Sequence, residues 1–574
     1  MPAQGLRHSR KLTIIAKDPA VRVNGRILTT EIAIPMEDLE PGPNGCRVRV
    51  IDFDVSSDTL YRPFEMDNTR DQYKPSAGLP PAYYAHFDEK LLNEPEFHAQ
   101  NVYAIVMRVL ARFEFALGRR VRWSFGGHQI IVAPHAFSEA NAFYSKEERA
   151  LLFGYFPARA NPAKSDQWPN IFTCLAHDVI AHETTHALLD GLRERYADPC
   201  SPEQAGFHEG FADIVALLSI FSLRDVVDAV FAAELNPTEK ITVARLRSSA
   251  ALFGLGKQLG DELSEIRGEP LRRSVELLPS SEYINDRKFE EPHRRGEILV
   301  AAVLNAFLEI WVNRIDDLPP ASSGAYDWRR VVEEGANIAD YLLTMCIRAI
   351  DYCPPTDVQF CDFLSAILTA DMELHPDDST YDFRSTLLSG FESYGIEPTS
   401  KADNGFWEPP NALLAYDHSH YEALQREPDE VFRFLWQNRN ALGLHNESYT
   451  RVISVRSCQR VGPDGFVMRE TVAEYVQTLE LRAAELERFK IKKPDQMPAG
   501  QALKLYGGGT LIFDEFCRLK YHVRNKVTNV ERQTQRLKYL WRFGFFKDDA
   551  DSQRNFADMH RMRVVEALPW HSDK

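Results

Sequence analysis

Apolar and polar residues alternate with a period of two along much of residues 11 to 55. Examples are Lys11-Leu12-Thr13-Ile14-Ile15, Ile27-Leu28-Thr29-Thr30-Glu31-Ile32-Ala33-Ile34 and Cys46-Arg47-Val48-Arg49-Val50-Ile51, with Pro and Gly between them. Side chains of a strand point alternately to its two faces, so this spacing predicts a small β module. A polar, Pro-containing stretch from 62 to 96 reads as a link. A helical period follows near 100 to 117, then strand-like runs at Val121-Arg122-Trp123 and Gln129-Ile130-Ile131-Val132. Apolar residues from 175 to 192 recur every three or four positions and predict a helix. A second helix opens at His208 and runs through Ile214-Val215-Ala216-Leu217-Leu218. Long helical patterns cover 296 to 315, 329 to 350 and 358 to 370.

Residues 397 to 405, followed by Glu408-Pro409-Pro410, are rich in turn formers and predict a domain boundary. Beyond it, Val452-Ile453-Ser454-Val455 and Phe466-Val467-Met468 around Pro463-Asp464-Gly465 predict a hairpin. Further strands are expected at 510 to 513 and 519 to 523. Gly507-Gly508-Gly509 lacks a following Lys-Ser/Thr, so it reads as a bulge or turn rather than a phosphate loop. Asp417-His418-Ser419-His420 reads as a turn rather than a metal site. The expected fold is α+β in three parts: a β module at 1–95, a core at 96–396 and an α+β accessory domain at 397–574.

Composition narrows the functional classes. A chain of 574 residues exceeds what one core usually serves, and 44% hydrophobic residues support packed globules. With 83 acidic against 67 basic side chains, the net charge of -16 argues against nucleic acid or an anionic membrane as the main partner. The basic stretch from 518 to 547 reads as a solvated helix face. The first residues do not form a signal-peptide pattern, and no apolar stretch is expected to reach the length of a membrane span. Eight scattered cysteines without a C-x-x-C pair read as free thiols in the cytoplasm.

The chemistry centres on Ala181-His182-Glu183-Thr184-Thr185-His186-Ala187. On a helix, residues four apart leave the same face, so the two imidazoles can reach one cation, with the Glu183 carboxylate beside it. This is the zinc-binding pattern of metallopeptidases. Farther on, His208-Glu209-Gly210-Phe211-Ala212-Asp213 offers Glu209 as third ligand, leaving one open position for water. Asp213, one turn later, is placed to accept the distal N–H of His182 and so set its tautomer.

These two helices together resemble those of the thermolysin-like zinc peptidases. Asn141-Ala142-Phe143-Tyr144 looks like that family's edge strand, on which Asn141 and the Ala142 backbone would hold substrate as an added strand. Pro292-His293-Arg294-Arg295-Gly296 looks like the segment bearing its second active-site histidine, so His293 would stabilise the oxyanion, with Tyr196 beside it. Arg272 is the match for the arginine that grips a substrate carbonyl, with Arg273 equally placed. The resemblance spans residues 96 to 396. It implies a β-rich and a helical lobe around a cleft, one catalytic zinc, a polypeptide substrate and Glu183 as general base.

The chain also departs from that family. His208 stands where Asn is usual and competes with Glu209 as ligand; Glu209 is preferred, and a helix-start His208 would cap or bond nearby backbone. Asp178 resembles a calcium ligand, but Ile220 replaces the second acid, so structural calcium is not expected. Two other readings stay open. One is a zinc-stabilised protein that clamps peptide without cutting it. The other is a latent effector protease switched on by a regulatory protein partner through the carboxy-terminal domain, which truncation near residue 400 would activate.

Overall fold

The first strand, β1 (Ser9–Ile15), pairs antiparallel with β4 (Thr29–Pro35), setting Leu12 opposite Ile32. The short strands β2 (Arg22–Val23) and β3 (Arg26–Ile27) lie between them. This computed structural model describes residues 9–546 except 77, 158–169, 235–240, 248–273, 275–276, 319–325, 379–380, 403 and 463–464. Leu12, Ile14, Ile32 and Ile34 are buried in the same cluster as α2 (Pro95–Leu117), so the amino-terminal strands share their core with the helices that follow. The stretch expected to be a link contains α1 (Pro81–Asn93), whose buried side is only Phe87, Asp88 and Leu91.

A mixed sheet supports the centre. Its strands β5 (Val48–Val50), β8 (Ile130–Phe137) and β10 (Ala150–Pro157) are parallel neighbours. Both β9 (Ala142–Ser145) and β11 (Asn170–Phe172) pair antiparallel with the far edge of β10. β9 covers Ala150 to Phe153 and β11 covers Tyr155 to Pro157, which leaves β9 as an outer strand of the described sheet. Phe53–Asp54 (β6) and Thr59–Leu60 (β7) form a separate small pair. The expected strand at Val121-Arg122-Trp123 is irregular: the Val121 amide donates to the Glu114 carboxylate and its carbonyl accepts from Arg47.

Helices follow: α3 (His177–Leu192), α4 (Pro202–Phe221), α5 (Arg224–Glu234), α6 (Val243–Arg247), α7 (Pro292–Asp316), α8 (Trp328–Ala349), α9 (Phe360–Leu374) and α10 (Phe383–Glu392). α4 begins earlier than expected because Ser201 caps it, accepting from the Gln204 amide, and Pro202 occupies its first turn. α7 corrects the expectation about apolar length. By length and mean hydropathy of 1.7 it could cross a membrane, but 78% of that window is buried inside the protein, as in a core helix.

The last part contains α11 (Tyr421–Leu424), α12 (Pro428–Gln437), an antiparallel sheet ordered β12 (Tyr449–Val461), β13 (Val467–Arg482), β14 (Ala502–Phe513) and β15 (Leu519–Asn525), then α13 (Val530–Arg542). The expected hairpin strands are present and longer than their sequence signals; the residues 463–464 of the turn lie outside the described set. Gly507, Gly508 and Gly509 are neither bulge nor turn. They sit in register inside β14, where a Cβ on Gly508 would stand 2.2 Å from the Tyr475 carbonyl oxygen. The basic face of α13 is also not simply solvated, since Arg532 makes a bidentate ion pair with buried Asp362 on α9 at 2.8 and 2.9 Å. The architecture is mixed α+β, and Met468, Ile512, Tyr521 and Val523 of the last sheet join the main core.

Candidate metal centre

Helix α3 carries His182, Glu183 and His186, all buried. Its first residue is tethered by the His177 amide, which donates to the Lys17 carbonyl at 2.6 Å, and Asp178 places negative charge in the first turn. The i, i+4 spacing brings His182 Nε2 and His186 Nε2 to 2.8 Å from one another. From α4, Glu209 approaches with one carboxylate oxygen 3.5 Å from His182 Nε2 and the other 3.8 Å from His186 Nε2. A tetrahedral ion with bonds of about 2.0–2.1 Å separates its ligands by roughly 3.3 Å, so this donor set fits a small divalent cation. On the far side of the ring, His182 Nδ1 lies 2.7 Å from Asp213, one helical turn beyond Glu209. That contact presents the Nε2 lone pair to the centre.

His293 reaches the same cluster from the start of α7, with Nε2 3.1 Å from Glu209 and Nδ1 2.9 Å from Glu291. Glu291 also caps α7 by accepting the Arg294 amide at 2.8 Å. Sequence reading missed Glu291, although an acidic residue directly before Pro292 is a helix-start signal. His293 meets Glu209 because α4 and α7 cross at Gly210 and Gly296, where backbone touches backbone.

Glu183 faces the sheet: its carboxylate accepts the backbone N–H of Tyr144, on β9, at 3.0 Å. In the same segment, the Asn141 side chain accepts the Ala142 amide at 2.9 Å, and the Asn141 carbonyl accepts the Gly154 amide at 2.8 Å. Asn141 therefore stands directly before, and Ala142 begins, an outer strand whose Tyr144 amide meets Glu183 of α3. The Tyr144 hydroxyl packs behind it, 3.1 Å from Asp190 and 2.5 Å from Ser124.

Three expectations are corrected or displaced. Tyr196 is sealed in the core, where its hydroxyl donates to the Pro354 carbonyl at 2.7 Å and its ring meets Phe207 edge-on; it is not a donor facing the cluster. His208 is not at a helix start. It lies inside α4, stacked on His186 with ring centroids 4.7 Å apart, and burial pushes its pKa down to about 4. Arg272 and Arg273 lie outside the described residues. Asp178 stays in the first turn of α3, where it accepts the Val179 amide.

Among the described residues a second group of potential ligands converges: His98, His135 and Cys174, all buried. No sequence spacing announced it. No known protein family matches the chain, and no curated protein resembles it at a significant level.

Proposed function

We propose that this chain is a cytoplasmic, zinc-dependent, thermolysin-like endopeptidase that cleaves internal bonds of polypeptides in a cleft between a β-rich and a helical lobe. The observation that carries the reading is the contact between Glu183 and Tyr144. The carboxylate one position after the ligand His182 is held by an outer strand suited to adding an extended peptide. His182, His186 and Glu209 would hold the ion, in keeping with their spacing and with the carboxylate behind His182.

Zinc there supplies a Lewis acid that draws the pKa of water toward neutrality and polarises a carbonyl. Glu183 takes the proton of the attacking water and delivers it to the leaving amine. Its bond from the Tyr144 amide orients the carboxylate before substrate arrives. His293 lies between two carboxylates, Glu291 at Nδ1 and Glu209 at Nε2, and with both ring nitrogens protonated it would donate from Nε2 where negative charge develops on the scissile carbonyl oxygen. With Tyr196 committed to Pro354, His293 is the ring donor on which this stabilisation rests.

The test compares cleavage of a broad quenched-fluorescent peptide library by the wild-type chain and by Glu183→Ala protein carrying the same zinc. Cleavage lost in the variant, with zinc retained, is expected. No cleavage by the fully zinc-loaded wild type would overturn the general peptidase and leave a peptide clamp or a protease restricted to one partner.

A further inference from the structure

We propose that His98, His135 and Cys174 form a second, non-catalytic metal centre for a thiophilic divalent cation of the zinc class. It is carried by side chains separate from the first cluster and does not rest on the peptidase reading.

The geometry of the two imidazoles carries the argument. His98 stands near the start of α2, His135 on β8, and Cys174 in the single turn Thr173–Leu175 that leads into α3. His98 Nε2 lies 3.1 Å from the Leu92 carbonyl oxygen, which can only accept, so that nitrogen carries the proton. His135 Nδ1 lies 2.9 Å from both oxygens of Asp52 and donates there. The nitrogens left over, His98 Nδ1 and His135 Nε2, face one another at 2.7 Å. In neutral rings both are lone pairs, and two acceptors at that distance repel unless a cation lies within reach of both.

The first cluster shows the same arrangement, with facing Nε2 atoms at 2.8 Å and a carboxylate behind one ring. A carboxylate behind a histidine is the usual support of a metal ligand. The sulfur of Cys174 completes the set, with all three donor atoms within 4.8 Å of one another. Two imidazoles and a thiolate suit zinc and its softer neighbours rather than magnesium or calcium.

The surroundings are buried and aromatic. Phe172 packs against both rings, at 4.8 Å from His98 and 5.2 Å from His135. Burial disfavours the imidazolium of His98 and the free thiolate of Cys174. Binding therefore exchanges one proton for the cation: the Cys174 S–H bond breaks, a sulfur–metal bond forms, and the proton leaves to solvent. The alternative occupant of the gap is a proton, making His135 an imidazolium between Asp52 and His98. An ion would instead fasten helix α2, strand β8 and the approach to α3, the helix that carries His182 and His186.

Cobalt(II) separates these cases, because among the two clusters only this one offers sulfur. The full chain, loaded with cobalt and dialysed, is expected to hold two equivalents and to show thiolate-to-cobalt charge-transfer absorption. Cys174→Ser protein is expected to hold one equivalent without that absorption, and His182→Ala protein to hold one equivalent with it. Folded wild type that binds cobalt without the absorption, or binds none, overturns the proposal without reference to either variant. So does absorption that survives in a folded Cys174→Ser chain. A single equivalent that shows the absorption in wild type upholds this centre and counts against the first cluster alone.

Discussion

Gly210 and Gly296 lie back to back where α4 and α7 cross. A Cβ on Gly210 would stand 2.8 Å from the Gly296 carbonyl oxygen, and one on Gly296 would stand 2.8 Å from the Gly210 amide nitrogen and 3.2 Å from Glu209 Cβ. The obstacles are backbone atoms in two buried helices, which cannot rotate away as a flexible side chain can. Glu209 and His293 face each other because nothing larger than hydrogen separates the helices here.

Gly296→Ala is therefore expected to destabilise the protein by about 1–3 kcal/mol, the usual cost of forcing extra volume into a packed interior. Metal affinity should fall with it, since the new methyl group presses on Glu209. Urea denaturation and zinc titration check this against Gly126→Ala, whose added Cβ meets nothing within 4 Å. Equal stability of the two variants would show that the helices can part without loss.

Asp213 lies 2.7 Å from His182 Nδ1, so it would support a bound ion through that ring. Asp213→Asn keeps the size and a hydrogen bond but removes the charge that raises the basicity of the ring. Zinc affinity is expected to drop about 10–100-fold with the fold retained. Competition with a chelator of known affinity measures it, and an unchanged constant would show that Asp213 does not support the ligand.

The first cluster was legible in sequence because its chemistry is local. His182 and His186 share one face of one helix, and Glu209 and Asp213 share another, so spacing alone places each pair. Tyr196 was misread because where a side chain points after a helix ends depends on what packs there, and here the Pro354 carbonyl takes its hydroxyl. The second histidine pair was invisible for a related reason: a helix, a strand and a turn contribute one residue each, 37 positions separating the two histidines. Sequence pattern found the strands of the last sheet but misjudged Gly507 to Gly509, which serve close approach between strands rather than a turn. It also assigned Arg532 to solvent, because charge runs do not reveal a buried partner 170 residues away.

That buried partner bears on the expectation that residues beyond 400 form a detachable gate. Arg532 pairs with Asp362, Arg460 with Asp351, and Glu474 lies 3.1 Å from Arg193, the residue that follows α3. All six are buried, and each pair joins the last sheet or α13 to the helical region. Truncation at residue 400 would strip partners from Arg193, Asp351 and Asp362, and breaking a buried pair from one side costs about 3–5 kcal/mol. The shortened chain is expected to be insoluble or unfolded by circular dichroism. A soluble truncated chain with raised peptidase activity would establish the latent, gated enzyme instead.

Acid should destabilise the protein through histidines that the fold keeps neutral. His522, on β15, sits with Nε2 2.7 Å from the Tyr475 hydroxyl, within hydrogen-bond distance. Burial first, and the Arg524 charge second, push its pKa down to about 3. His177, whose Nδ1 lies 3.1 Å from the Ala16 carbonyl oxygen, is likewise pushed to about 3 by burial and then by Arg108. In the unfolded chain both titrate near 6.5, so below that pH the unfolded state binds more protons than the folded one. Their contribution is complete above about 6.5 and is lost as pH falls toward 3, each at about 1.4 kcal/mol per pH unit. Carboxylates add their own slope in the same window, so the difference between variants is the informative quantity. His522→Gln keeps a hydrogen-bonding group for Tyr475 and cannot titrate. Urea unfolding of wild type and variant between about pH 6 and pH 4 is expected to give stability curves that converge by about 1.4 kcal/mol per unit as pH falls. Parallel curves would mean that His522 takes up its proton as readily in the folded protein as in the unfolded chain.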